Sequence, residues 1–293
     1  MIVLFAGCRG TKRELSVIRL SILRGPSAIA FAQWIKQPPV IDGKKVLINW
    51  VDAPNLIQSE LINEEVELAA LPMISAINLY NKDIHYQLLG CPIWGTLYLI
   101  GRMGKKNNEL HVFGAGTTPD ILIRSYLDKN KQNYTLNYTF STASEITQAL
   151  LLGKVQTAVL SEPFLSQALR RDSTLSILAD LNRMDNSQTG FAQTAIVCSP
   201  KLEGIRTELD SLLRLSCQFA NDQPTAAIRI LEKADIFPVG MLTPESISRC
   251  KIHYLSASEA REEIMRLLNL ILAYEPRSIG GKMPDKDFLP DKR

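Results

Sequence analysis

Four apolar residues running straight into a proline constrain this chain more than any other stretch. Leu68-Ala69-Ala70-Leu71 has the length of a strand buried on both faces. Pro72 cannot continue a sheet ladder, but it fits the first turn of a helix, where a missing N–H costs nothing. The strand is therefore expected to stop at Leu71 and a helix to run at once to about Tyr80. Such a turn leaves backbone N–H groups at a helix N-terminus beside the carboxyl end of a buried strand. In open α/β sheets that is where ligands sit.

The design recurs. Thr157-Ala158-Val159-Leu160 is followed by Ser161-Glu162-Pro163 and the helical pattern Phe164 to Arg171. Each unit follows a helix with a short polar link, Leu56 to Asn63 in one case and Glu145 to Leu152 with Gly153-Lys154 in the other. Two modules of one design imply two similar lobes. The plainer alternative is chance likeness between short units common in α/β proteins.

The chain has 293 residues, 46% of them hydrophobic, enough for a large core in one big domain or two ordinary ones. Its formal net charge is +3 with the charges mixed, and no basic block alternates with aromatics, so nucleic acid is not expected as a partner. No apolar run reaches the roughly 18 residues that span a membrane. The five cysteines form no CxxC and no Cys/His cluster, so no metal site is expected. Their odd number argues against a disulfide framework. Leu4-Phe5-Ala6-Gly7-Cys8 resembles the end of a bacterial lipoprotein signal, which makes Cys8 a lipidation candidate. The stretch lacks a basic n-region, and its apolar part is shorter than a signal requires. Either the start lies upstream or this is an ordinary apolar N-terminus; residues 1–15 are read as a signal remnant and tether.

Further strand-to-helix turns follow the same logic. Val17 to Leu23 reads as a first strand, with Gly25-Pro26-Ser27 opening the next helix, and Lys45 to Val51 as a second, followed by Asp52-Ala53-Pro54. Leu110 to Phe113 precedes Gly114-Ala115-Gly116-Thr117-Thr118-Pro119-Asp120. Two glycines permit close backbone approach and two hydroxyls can donate, which makes this an anion-nest candidate. It is neither a complete P-loop nor a full GxGxxG, and a plain βα turn needing glycine is the alternative. Ser141-Thr142 with Glu145 forms a capping-box pattern. From Leu202 onward the sequence predicts helices only.

Together, Gly25-Pro26-Ser27, the Leu71-Pro72 module ending in Asn78-Leu79-Tyr80-Asn81, Gly95-Thr96-Leu97-Tyr98-Leu99, Ser161-Glu162-Pro163 and the closing Ile279 to Phe288 resemble the ABC-transporter substrate-binding proteins of the nitrate, sulfonate, taurine and thiamine-pyrimidine class. The likeness spans about Ser16 to Leu289. It implies an α/β, two-lobed periplasmic-binding-protein clamshell of type II, each lobe a mixed sheet flanked by helices. Lobe 1 is expected over 16–101 and 199–293, lobe 2 over 102–198. The implied function is the solute-binding component of an ABC importer, acting as a monomer without cofactors. It would capture a small polar or anionic organic solute between the lobes and present it to the permease and its ATPase. The implied location is the periplasm or the outer face of the membrane, with a lipid anchor at Cys8 as the variant. By position, Gly25, Pro26, Ser27, Ala53, Leu71, Pro72, Trp94 and Thr96 are expected to line the first lobe's wall, and Gly116, Thr117, Thr118, Ser141, Ser161 and Glu162 the second's.

The chemistry expected is binding by closure, with helix N-termini from both lobes meeting one solute. Trp94 either stacks on the ligand or packs the hinge. Glu162 either meets a ligand amine or satisfies its own helix start. The enzymatic alternative is a non-redox lyase on the same fold, as in menaquinone synthesis. His85, His111 and His253 show no recognisable triad order, no GxSxG elbow appears, and the cysteine-rich motif of thiamine-pyrimidine synthases is absent from the sequence. A regulatory domain on this fold would need a DNA-binding element, for which the N-terminus has no room.

Overall fold

The computed structural model describes residues 16–102, 108–184 and 189–290. Cys8 and the tether 1–15 lie outside the described residues. The chain begins with β1 (Val17–Leu23), α1 (Pro26–Ala30), α2 (Ala32–Lys36), β2 (Val40–Ile41), β3 (Lys44–Val51), α3 (Pro54–Ile62), β4 (Leu68–Pro72), α4 (Met73–Tyr80) and β5 (Gln87–Ile93). A second group follows: β6 (Leu97–Arg102), β7 (Glu109–His111), α5 (Thr118–Asn130), β8 (Thr135–Asn137), α6 (Ala143–Leu151), β9 (Thr157–Ser161), α7 (Phe164–Arg171) and β10 (Leu175–Asp180). The chain then returns through β11 (Thr194–Cys198), α8 (Arg206–Asp222), α9 (Pro224–Lys233), α10 (Pro244–Arg249), β12 (Ile252–Ser256) and α11 (Arg261–Tyr274).

Two mixed sheets result. The first has seven strands in the order β12-β5-β11-β4-β1-β3-β2, and the second has five in the order β10-β6-β9-β7-β8. Each is the core of one lobe, as expected of a two-lobed α/β clamshell. The expected boundaries are corrected, however. β6 pairs with β9 and β10 in the second sheet, while β11 pairs with β4 and β5 in the first. The chain therefore changes sheet between β5 and β6 and again between β10 and β11, not near 102 and 198. Apolar strands such as Leu97 to Ile100 read alike in either sheet, so only the pairing reveals which lobe owns them.

The strand that anchors the reading behaves as its composition dictates. Leu68, Ala69, Ala70 and Leu71 are almost wholly buried, because β1 and β11 flank β4 and helices cover both faces. Pro72 differs from expectation: it ends the strand opposite Thr194, with φ −55° and ψ 137°, and α4 starts one residue later. A proline at the last ladder position forfeits no needed N–H. At the other end of β4, Glu67 is buried and takes the Arg19 guanidinium (2.6 Å) and backbone N–H (2.8 Å), which fastens β4 to β1.

One apolar layer joins Ile18, Leu20 and Ile22 to Phe31, Trp34, Leu213, Cys217 and Leu231. The opposite layer joins Ile57, Leu71 and Ile77 to Leu267, Leu268 and Ile271, and continues into the second lobe through Ile121 and Leu122 of α5. A third layer behind the second sheet holds Ile100, Leu160, Ile146, Leu150 and Leu165. The helices-only expectation after Leu202 missed β12. That strand alternates Ile252 and Tyr254 inward on the sheet edge, but charged neighbours make its pattern too short to read.

The two crossovers touch. Phe191 donates its N–H to the carbonyl of Trp94 at 3.0 Å. Gly190 has φ +102°, and a Cβ there would lie 2.2 Å from that carbonyl oxygen. Gly190→Ala is therefore expected to destabilise the protein by about 2 kcal/mol or more, through backbone strain and overpacking together. Urea unfolding measures this; a midpoint within error of wild type would show that the crossovers have room to part.

Candidate functional site

The carboxyl ends of β4 and β9 lie beside the crossovers, Pro72 opposite Thr194 and Ser161 opposite Leu97. At the tip of α4, Met73 donates its N–H to the carbonyl of Gln193 (3.0 Å). At the tip of α7, Glu162 donates its N–H to the carbonyl of Thr96 (3.0 Å). Thr96 Oγ1 in turn donates to Gln193 Oε1 (2.5 Å), so one continuous chain of hydrogen bonds links a helix start in each lobe. Asn182, fully buried, completes the knot. Its Oδ1 accepts from Gln193 Nε2 (2.7 Å) and the N–H groups of Thr96 (3.2 Å) and Leu97 (3.3 Å), while its Nδ2 donates to the Leu97 carbonyl (2.9 Å) and Asp180 Oδ1 (2.6 Å).

Two more helix starts follow the neighbouring strands β1 and β3 of the first lobe. Ser27 in α1 places its hydroxyl 3.3 Å from that of Thr194, the residue paired with Pro72. Gly25 enters α1 at φ +135°, which a side chain would resist, and Pro26 takes the first helical position. Ala53 caps α3 in an extended conformation beside the Arg24–Asp52 ion pair (2.7 Å). The structure thus brings Gly25, Pro26, Ser27, Pro72, Thr96, Ser161 and Glu162 to one region, while Ala53 follows β3, two strands from β4. Thr194, Gln193 and Asn182 were missed in the sequence. They lie on the returning strand and crossover, and the only signal was polar residues breaking the apolar run before Ala195.

Leu71, Trp94 and Glu162, all expected to line the cleft, have almost no exposed surface. Leu71 is fully buried in the core. Trp94 is fully buried as well: its indole N–H donates to the His253 carbonyl (2.8 Å) and its ring stacks on the His253 imidazole at 5.2 Å and 18°. Of the two roles open to it, the tryptophan takes that of hinge packing. Glu162 accepts from the Ser166 N–H (3.2 Å) and hydroxyl (2.9 Å), four residues on in the first turn of α7, and pairs with Arg249 across the lobes (3.3 Å). Burial pushes its carboxyl pKa up, against the opposing pull of Ser166 and Arg249. These contacts match the helix-start role and leave the side chain no exposed surface.

The glycine turn of the second lobe also differs from expectation. Gly114 and Gly116 have φ +67° and +73°, so the turn is formed. Three of its donors are spent within the chain, however. Gly116 donates its N–H to Asp120 Oδ2 (2.8 Å), and the Thr117 N–H (2.9 Å) and hydroxyl (2.5 Å) both reach the Gly114 carbonyl. Asp120, 3% exposed, also accepts from the Tyr138 hydroxyl (2.7 Å) and pairs with Arg124 (3.2 Å). Burial and this hydrogen bond push the Tyr138 pKa up, so the phenol stays a donor. Thr118 is buried beneath the turn, whereas Thr117 is exposed. Ser141 is exposed, and its N–H is taken by Glu145 (2.8 Å) as part of the capping box on α6.

Among the described residues no group of His, Cys, Asp and Glu could hold a metal ion, and no helix is long and apolar enough to cross a membrane. No family model and no curated protein matches the chain. Solved structures do. The crystal structure of an ABC transporter from Parabacteroides distasonis is 55% identical, with a TM-score of 0.92 over 95% of this chain and 100% of that one. The periplasmic aliphatic sulphonate binding protein SsuA of Escherichia coli superposes with a TM-score of 0.74 at 15% identity, covering 96% of this chain and 94% of its own. The periplasmic nitrate-binding protein NrtA of Synechocystis gives 0.55 at 10% identity, over 94% and 75%. The last two establish shared fold alone.

The Trp94–His253 stack carries a pH signature. Burial holds the His253 pKa below its ordinary value, although a hydrogen bond to the Lys251 backbone pulls the other way. The unfolded chain therefore binds this proton more readily than the fold. Its stabilising share is complete above pH about 6.5 and is lost as pH falls below that. Replacing the imidazole by His253→Phe keeps a ring on Trp94 but removes the titration. Wild type is expected to lose melting temperature relative to this variant between neutral pH and pH about 5. Calorimetry across that range checks it; a gap that stays constant would refute a depressed His253.

Proposed function

The chain belongs to the ABC-transporter substrate-binding proteins, and from that premise we propose that it captures a small polar organic solute between its lobes and delivers it to a membrane permease with its ATPase. The observation that carries this reading is the convergence of helix starts from both lobes on the crossovers, joined by Met73, Gln193, Thr96 and Glu162. A solute seated there touches both lobes. It therefore favours the closed arrangement by its differential affinity, which is how such a protein reports occupancy to a partner.

The contacts we assign to it are polar and mostly uncharged. The Ser27 and Thr194 hydroxyls, the turns at Gly25-Pro26, Ala53 and Pro72, and Thr96 serve from the first lobe. Ser161 serves from the second, where the N–H groups of Gly116, Thr117 and Ser141 are engaged within the chain. Leu71, Trp94 and Glu162 support these turns from beneath. The solute class we draw on is that of the sulfonate, nitrate and thiamine-precursor binders. The same reading puts the chain outside the cytoplasmic membrane as a monomer that binds without turnover, with Cys8 as the candidate anchor. No observation among the described residues favours the lyase alternative: His253 is stacked on Trp94, and His111 lies against Phe140.

Native mass spectrometry of the purified protein is expected to find a co-purified small molecule. Adding that molecule back at about 100 times its Kd should raise stability by about 2.7 kcal/mol without consuming it. Ser27→Ala combined with Thr194→Val removes one hydroxyl pair and should weaken binding roughly tenfold. Chemical conversion of the molecule would establish an enzyme instead, and unchanged affinity in the double variant would move the site elsewhere.

A further inference from the structure

The turn before α5 has the backbone geometry of an oxyanion cradle, yet the chain fills it with its own carboxylates. Asp120 enters from below and takes the Gly116 N–H, the Tyr138 hydroxyl and the Arg124 guanidinium. Glu275 arrives from the other lobe. It follows α11, and its side chain lies so close that a Cβ on Gly116 would come within 3.5 Å of its Cγ. Glu275 also reaches Arg124 (3.4 Å), which places two carboxylates against one guanidinium. A solute oxyanion at this tip would add a third negative charge and would find the Gly116 and Thr117 donors already engaged. The end of α11 and the start of α5 meet there, so the negative end of one helix lies against the positive end of the other. The position is occupied both electrostatically and sterically.

We propose that Asp120, backed by Glu275, is a specificity residue that bars oxyanions from the second-lobe tip, so that a solute presents a neutral or cationic group to this lobe. The inference rests on the solute-binding reading and narrows it. Within the class named above, it sets aside nitrate and sulfonate recognition by this turn and leaves amine-bearing or heteroaromatic solutes. Ligand amines and aromatic N–H groups meet a surplus of negative charge here, whereas oxyanions meet repulsion.

The test is differential and needs no knowledge of the natural solute. Melting temperatures are recorded for wild type, Asp120→Ala and Glu275→Gln in chloride, nitrate and ethanesulfonate at equal ionic strength. Asp120→Ala releases three donors from one acceptor. Nitrate and ethanesulfonate are expected to raise its melting temperature by about 2–4 °C over chloride, with no such response in wild type. Glu275→Gln, which leaves the turn intact, should respond weakly in the same direction. A wild-type response as large as that of Asp120→Ala overturns the proposal. So does the absence of any response in both variants. If Asp120→Ala does not fold, the wild-type and Glu275→Gln arms still decide. A failed transport reading would appear separately, as no solute in the native spectra.

Discussion

One buried carboxamide ties the two lobes to each other. Asn182 has no contact with solvent, and its donors and acceptor are matched by Gln193, Thr96, Leu97 and Asp180. A buried polar group left unmatched costs about 1–3 kcal/mol, whereas a satisfied network stiffens the geometry around it. The knot therefore fixes the spacing of the crossovers. That spacing in turn sets how the tips of α4 and α7 face each other, because each donates its N–H to a crossover carbonyl. Lys251, held by Asp180 at 3.1 Å, and Trp94, stacked on His253, brace the same region from the first lobe. The site is built on two short segments, and the helices merely deliver their ends to it.

Much of the frame was legible in the sequence because it follows from local chemistry. Pro72 and Pro163 mark strand-to-helix turns, since proline tolerates the end of a ladder or the start of a helix but not the middle of either. Gly25, Gly114 and Gly116 mark turns because their backbones occupy the left-handed side of φ. The lobe boundaries were not legible. Leu97 to Ile100 and Thr194 to Cys198 are apolar strands of the right length for either sheet, and pairing is decided by partners far away in sequence. Trp94 shows the same limit. An aromatic beside a glycine turn suits a pocket wall as well as a hinge, and the choice is made by His253, which comes from a strand the pattern did not reveal.

The glycine turn at 114–118 shows why donor geometry alone is a weak guide to ligand charge. The sequence offers an anion nest or a plain βα turn needing glycine, and the backbone adopts a shape that suits either. What decides the chemistry is who holds the acceptor. An aspartate four residues beyond Gly116, in the first turn of α5, can fold back on the Gly116 N–H, and acidic residues favour that position for the helix dipole as well. That signal was present in the sequence as Asp120. Glu275 was not readable, since it comes from the far end of the chain and from the other lobe.

Two of the stretches that carry the family resemblance, the end of α4 and the closing tail, hold each other. Asn78 and Asn81 stand at the end of α4, and their amides donate to the carbonyls of Ser278 (2.9 Å), Ile279 (2.6 Å) and Lys282 (2.9 Å). Gly280 and Gly281, both at φ +76°, turn those carbonyls toward them, and the Tyr80 ring lies 4.9 Å from the buried ring of Phe288. The pairing of an Asn-rich helix end with a Gly-Gly-Lys tail is thus one interface written in two places. Meanwhile α11 packs its apolar face into the core shared with α5, so the segment that begins with α11 fastens α4 of one lobe to α5 of the other. Sheet membership assigns this segment to the first lobe, but its contacts belong to both. It is a third bridge beside the two crossovers, and Glu275 stands where that bridge meets the second-lobe turn. The acid that backs Asp120 and the strap that joins the lobes are therefore one structural device.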